Sequence, residues 1–294
     1  MKISSGRSKA YKVFSVIILI LLAVLFLFPL YWIITGAFKP SGDIYAKEPV
    51  WWPSDWVTQN FANLFNNRSA PLFRIFGIDG PTVPAAFRWL VNTVFMSVMA
   101  MILTCITAAM AGYALAKKRF RGRGILFALI VVAMALPKQV ILIPLLKEVS
   151  ALKLYNTLWA VILPTVGWPF GVFLMKQFAE GIPGEVLEAA RVDGSSELRT
   201  FTTIVVPIIK PGIGALAIFT FINAWNDYFM QLIMLSSNAN YTISLGIATL
   251  QAESSIDKGL LMAGAALASV PIIIVFLIFQ KYFTQGITMG AVKG

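Results

Sequence analysis

The chain has 294 residues, 58% of them hydrophobic and 13% charged, with a net charge of +11 and no histidine. Its mean hydropathy of +0.79 lies outside the range of soluble domains and marks a membrane protein. Lack of histidine removes the commonest residue of transition-metal and acid–base chemistry, and the single Cys105 can form neither an internal disulfide nor a cysteine metal cluster.

A helix needs about 20 apolar residues to cross the hydrocarbon core, and six segments meet or approach that length. They are 13–38, 89–116, 125–146, 155–175, 211–235 and 259–279, which predicts an all-α integral membrane fold of six transmembrane helices. Lys2, Arg7, Lys9 and Lys12 precede the first as they would a signal peptide, but its length and its Pro29-Leu30-Tyr31-Trp32 ending predict an uncleaved helix. Residues 39–87 hold Trp51, Trp52 and Trp56, read as an aromatic belt at the headgroups, with room for short interfacial helices.

In the second segment, Ala108, Ala109, Ala111 and Gly112 are small enough for close helix packing, as are Ala263, Gly264, Ala265 and Ala266 in the last. Asn92, Thr93 and Ser97 read as helix–helix contacts. Lys117, Lys118, Arg119, Arg121 and Arg123 then crowd one short loop. Basic residues of short loops stay in the cytoplasm, so both termini and the loops after the second and fourth segments are expected there. Residues 39–87, 147–154 and 236–258 fall on the outer face. The basic residues follow the edges of apolar runs, so the charge is topological, and no nucleic-acid partner is expected. The third segment is interrupted by Pro137-Lys138-Gln139, which predicts a kink or a charged group facing a polar cavity.

The fifth segment carries Asn223, Trp225, Asn226, Asp227, Tyr228 and Gln231. A charge at the bilayer centre costs about 2.5 kcal/mol or more, so Asp227 needs a reason to be there. Two readings are open. The polar groups line a substrate pathway, hydrogen-bonding the cargo while Trp225 or Tyr228 stacks on it, or they bond neighbouring helices.

The longest cytoplasmic loop, 180–212, reads EGIPGEVLEAARVDGSSELRTFTTIVVPIIKPG. Pro183 suits the first turn of a short helix, Glu185 and Glu188 favour its positive end, and Gly194 suits a left-handed stop. Ser195 or Ser196 can cap a second short helix with Glu197 in its first turn.

Glu188-Ala189-Ala190, three intervening residues, Gly194, nine more, then Ile204, Val205, Val206 and Pro207 resemble the EAA loop of ABC importer permeases, with Val206 where that family usually has Leu. LPKQVILIPL (136–145), LYNTLWAVILPTVGWPFGVFLMKQF (154–178), FINAWNDYF (221–229) and FTQGITMGAVKG (283–294) resemble the carbohydrate branch, in particular the shorter, six-span member of a permease pair related to those of maltose, glycerol-3-phosphate and oligosaccharide importers. The resemblance covers the chain from about residue 89 onward. It implies an N-terminal portion 1–88, a core permease domain 89–281 containing the coupling loop, and a cytoplasmic tail 282–294.

The resemblance implies a bacterial inner-membrane permease that carries a sugar or oligosaccharide. Its expected partners are a second permease subunit, two ATP-binding cassette ATPase subunits, a periplasmic or lipid-anchored substrate-binding protein, and membrane lipid. Glu188, Ala189, Ala190, Asp193, Gly194, Ile204 and Pro207 would couple to the ATPases, with the two alanines letting that partner approach closely. Residues 236–258 would reach the binding protein. The tail from 286 would lie between the ATPases, its three glycines forming no obvious helix. The chain has no GxxxxGK[ST] run to cradle a phosphate, so ATP and Mg would be held by partner subunits and this chain would need no cofactor. An ion-driven secondary transporter is the alternative class, and neutral, acidic and phosphorylated sugars all fit.

Overall fold

The computed structural model describes residues 9–75, 78–253 and 257–291; Lys2, Arg7 and Lys293 lie outside them. The chain opens on α1 (Lys9–Ala37), apolar on every side and exposed over most of its length, as a helix facing lipid or a partner helix must be, until Thr35 and Ala37 are buried at its end. Two short helices follow, α2 (Ser41–Ile44) and α3 (Gln59–Asn67). Around them Trp32 and Trp51 meet edge to face at 5.9 Å, and Trp52 and Trp56 do so at 5.3 Å.

The expectation of helices alone is incomplete here. Strand β1 (Ser69–Pro71) pairs antiparallel with β4 (Thr82–Pro84), setting Ala70 opposite Val83, and β2 (Arg74–Ile75) pairs with β3 (Ile78–Asp79). These short ladders satisfy backbone groups of a stretch too rich in Pro and Gly to continue a helix.

The central helix is α4 (Ala85–Lys117). Next come α5 (Arg123–Met134) and α6 (Lys138–Ala151), then α7 (Trp159–Val166) and α8 (Pro169–Glu180). At Gly112, a Cβ would fall 2.6 Å from the backbone nitrogen of Lys176, so glycine is what lets α4 and α8 approach backbone to backbone. Ala108 and Ala109 are buried beside it, as expected of close-packing residues.

The third segment is more than kinked. α5 and α6 diverge by 108° at Pro137, so α5, about 18 Å long for its 12 residues, cannot cross a hydrocarbon core of about 30 Å alone. Pro137 has no N–H to continue the ladder and pushes Leu136 out of helical geometry. Among the described residues four helical stretches are long and apolar enough to span, and the count reaches six only when each of two bent pairs is taken as one crossing.

Past the loop helices α9 (Gly184–Val192), α10 (Glu197–Thr200) and α11 (Val206–Ile208), the fifth segment is also in two pieces, α12 (Lys210–Asn226) and α13 (Tyr228–Met234). α14 (Ile243–Glu253) and α15 (Lys258–Ala291) complete the fold. The α15 backbone stays helical to Ala291, overturning the expectation that the glycine-bearing tail would not. Extending an existing helix adds a hydrogen bond per residue without a new nucleus, which outweighs glycine's poor propensity.

Three apolar clusters run along the bundle. One joins Trp89, Phe221, Trp225, Ile243 and Ala263, a second joins Met96, Val161, Ile162 and Met234, and a third joins Ala109, Met175, Leu187, Val205 and Leu216.

Candidate functional site

The 180–212 loop folds as its local signals require. Pro183 stands at the cap position of α9, one residue before the expected first turn. The helix closes with Gly194 N donating to Arg191 O and Ser195 N to Ala190 O, each at 3.0 Å, around Gly194 at φ +72°. This pair of bonds is the Schellman stop, which needs a residue tolerant of left-handed backbone. Ser196 Oγ then accepts from Arg199 N at 3.4 Å and caps α10. A widened π-helical turn, Phe201–Val205, follows, consistent with Pro207 lacking an N–H to donate back into it. The arm Glu197–Ile208 meets α12 at 78°.

The inner face of this loop is fixed and the outer face is bare. Leu187 is buried in the third cluster with Val205 and Ile209, and Ala190 is buried as well. Lys117 Nζ donates to the carbonyls of Glu180 at 3.0 Å and Ile182 at 2.6 Å, and Lys118 pairs with Glu197. The Lys118 hydrogen bond, with its charge, holds the Glu197 carboxyl below the usual carboxylate range. Glu188, Ala189, Asp193, Gly194 and Pro207 are exposed, Ile204 is half-buried, and the apolar Val192 and Leu198 are 89% and 69% exposed. The expectation that both alanines offer a partner a close approach is therefore corrected. Ala190, 5% exposed, faces this chain's own core, and only Ala189 is outward.

A second constellation lies inside the bundle, where three helix interruptions meet. Lys138 follows the Pro137 break, Trp168 sits between α7 and α8, and Asp227 separates α12 from α13. Lys138 Nζ is 3.3 Å from Asp227 Oδ2 and 4.6 Å from the centre of the Trp168 ring. Asp227 Oδ1 also accepts from Met230 N at 3.4 Å, capping α13. A buried charge is tolerated when paired and hydrogen-bonded, and Asp227 is both. Beside the pair is a crevice of about 60 Å³ lined by Lys138 and Trp168 together with Thr104, Thr165, Thr220 and Asn223.

The polar residues predicted in the fifth segment divide. Asn223 lines the crevice, Asn226 is exposed, and Tyr228 is half-buried against Phe229. Trp225 and Gln231 do not belong to a pathway. Trp225 is 1% exposed and stacks on Phe221 at 5.5 Å, so no sugar ring can reach it. Gln231, fully buried, donates to Ala224 O at 3.0 Å and accepts from Thr242 Oγ1 at 2.5 Å, which ties the break at Asp227 to the start of α14. The reading by segment polarity missed Thr104 and Trp168. The Trp168-Pro169 step, a helix breaker beside an aromatic, was the available signal for the second.

At the opposite end of the bundle, Asn92 Nδ2 donates to the carbonyls of Ala239 at 2.9 Å and Tyr241 at 2.8 Å, and Thr93 Oγ1 accepts from Ile243 N at 2.8 Å. Asn92 and Thr93 are thus structural, as expected. The loops 117–123 and 180–212 share one end, and 69–88, 154–158 and 236–241 share the other, the alternation that the positive loop predicts.

Residues 106–289 match the family described as binding-protein-dependent transport system inner membrane component. The chain belongs to that family. The arabinooligosaccharides transport system permease protein of Halalkalibacterium halodurans is 34% identical, with 93% of each chain covered. Its namesake in Bacillus subtilis is 32% identical over 99% of each. A diacetylchitobiose uptake system permease of Streptomyces coelicolor is 29% identical over 98% of this chain and 99% of its own length. In three dimensions the chain is similar to a subunit of a bacterial ABC transporter involved in the import of the acidic polysaccharide alginate, with a TM-score of 0.78, 20% identity, and coverage of 96% of this chain and all of that one. That likeness establishes the importer-permease fold. As a family member, the chain is a multi-pass inner-membrane transport component.

Proposed function

We propose that this chain forms half of the path by which a saccharide crosses a bacterial inner membrane, driven by ATP hydrolysis on separate subunits and coupled through the 180–212 loop. The observation that carries the reading is the two-sided build of that loop. Leu187 locks α9 to the transmembrane core and Ala190 is buried beneath the helix, while Glu188, Ala189, Val192, Asp193 and Leu198 stay uncovered. Such a helix transmits displacement in both directions, because whatever grips its outer face moves α4, α8 and α12 together. Exposed apolar Val192 and Leu198 amid charge suit a protein partner, and Glu188 sets register through an ion pair more than it adds affinity.

In this reading the partners are a second permease, two ATPases holding ATP and Mg, and a substrate-binding protein meeting residues 236–258 on the outer face. Both termini are cytoplasmic, on the side of the basic 117–123 loop. The saccharide cargo is supported by the names of the relatives, which are permeases for arabinooligosaccharides and diacetylchitobiose.

The test uses the assembled importer in proteoliposomes. Glu188→Lys should insert and pair with its partner permease, yet lose ATPase on co-purification or lose substrate-stimulated hydrolysis, and ATP-driven saccharide uptake with it. Wild-type values for all three would remove the loop from the mechanism. Uptake that followed an ion gradient without ATP would replace the importer reading with a secondary transporter.

A further inference from the structure

The crevice at the three helix interruptions combines charge balance with unmet hydrogen-bonding capacity. Among its lining residues only Lys138 is charged, and that charge is matched by Asp227 at 3.3 Å. The side chains are 30% and 19% exposed, so water screens the pair only in part. Thr104, 3% exposed, has a hydroxyl with no hydrogen-bond partner among the described residues. Ser97 on the same helix is likewise unpartnered but does not line the crevice, whereas the hydroxyls of Thr107 and Thr165 bond back to carbonyls of their own helices at 2.8 Å. Asn223 donates to Phe219 O at 2.7 Å, which leaves its side-chain carbonyl available to accept. An unsatisfied buried hydroxyl costs about 1–3 kcal/mol, a penalty that a hydroxylated ligand would relieve. At about 60 Å³ the crevice admits a hydroxymethyl group or a pair of hydroxyls, not a whole ring.

We propose that this crevice is a contact point on the wall of the transport path that accepts hydroxyl groups of an uncharged saccharide, and that the Lys138–Asp227 pair sets this selectivity by keeping the wall neutral. The inference rests on the reading that the chain carries a saccharide and adds the charge class of that cargo. Thr104 and Asn223 meet the hydroxyls. Lys138 lines the crevice, but its ammonium is matched by the Asp227 carboxylate at 3.3 Å and held over Trp168 at 4.6 Å, contacts that neutralise its charge and fix its place. A uronate entering here would face a wall carrying no net positive charge, and would lose water without gaining a counter-ion.

Asp227→Asn is the informative variant. Asparagine is as good a helix cap as aspartate and keeps its shape, so α13 retains its start while Lys138 loses its counter-charge. Uptake would be measured in the reconstituted importer for a neutral hexose tetrasaccharide and for the same tetrasaccharide oxidised at its terminal residue to a uronate. Saturation-transfer NMR of both sugars against the permease pair in nanodiscs would give their relative binding without the binding protein. The wild type should favour the neutral sugar by about tenfold or more in both measurements, a difference of about 1.4 kcal/mol. Asp227→Asn should bring the ratio near one or reverse it, and Lys138→Met combined with Asp227→Asn should restore the neutral preference. A wild type that favours the uronate, or a ratio unmoved by Asp227→Asn, overturns the proposal. ATP-driven uptake of either sugar would leave the importer reading standing in that event. Should Asp227→Asn fail to assemble, the double variant and the wild-type ratio still decide.

Discussion

The two segments flanking the fifth crossing make a useful contrast. Residues 181–209 take their turns from neighbours in sequence, a Schellman stop at Gly194, a serine cap at Ser196 and an arm beside a proline-widened turn, and distant groups (Lys117, Lys118 and the third cluster) hold one face only. Residues 235–253 are held by groups far away in the chain. Trp89 Nε1 donates to Asn238 O at 2.9 Å, Asn92 holds Ala239 and Tyr241, and Asn156 Oδ1 accepts from Ser236 N and Ser237 N at 3.0 Å. α14 then buries Ile243, Leu245 and Leu250 in the bundle. The first segment keeps a whole face free and depends on little beyond its anchor residues, so it can transmit a push. The second is stitched into the fold and serves as a fixed platform.

Substitutions at one glycine in each segment would break that contrast if it is wrong. At Gly246 a Cβ would fall 2.2 Å from the Trp89 ring, which is 1% exposed and cannot yield. Gly246→Val should therefore destabilise the whole protein by about 1–3 kcal/mol, seen as a clear fall in the apparent Tm of the detergent-solubilised chain. An unchanged Tm would mean that α14 is not packed on α4.

At Gly194 nothing lies within 4 Å of an added Cβ, and only the φ of +72° opposes a side chain. Gly194→Val would carry about 1–2 kcal/mol of strain if the turn held, so the open turn should distort locally to relieve it, with a smaller Tm shift than Gly246→Val and lowered ATPase retention on co-purification. Normal retention and stimulated hydrolysis would show that the turn geometry does not matter for coupling.

The smallest effect concerns the exposed Lys118–Glu197 pair. Glu197 titrates below the ordinary carboxylate range, so the contact contributes fully above that range and is lost only as pH falls through the lowered value. Such a pair is worth at most about 1 kcal/mol after screening. In the wild type, the amide protection of residues 117–123 relative to intrinsic exchange should fall at the acid end and in high salt. Glu197→Gln should remove both dependences, and their persistence would assign the loop's order to Lys117 alone.

The sequence by itself determined the features written in local chemistry. Hydropathy marked where α1, α4 and α15 run, Pro137 marked the break in the third crossing, and the order of Pro183, Gly194 and Ser196 marked the two helices of the loop, because caps and breakers act within a few residues. The tertiary structure alone decided which polar side chains face a cavity and which are consumed by the fold. Asn223, Trp225, Asp227 and Gln231 are equivalent by composition, yet one lines the crevice, one fills the core, one pairs with Lys138 and one reaches Thr242. The physical reason is that a hydrogen bond or an ion pair in a membrane bundle is made across helices distant in sequence. Lys138 and Asp227, 89 residues apart, meet only because three breaks in three helices are stacked at one place.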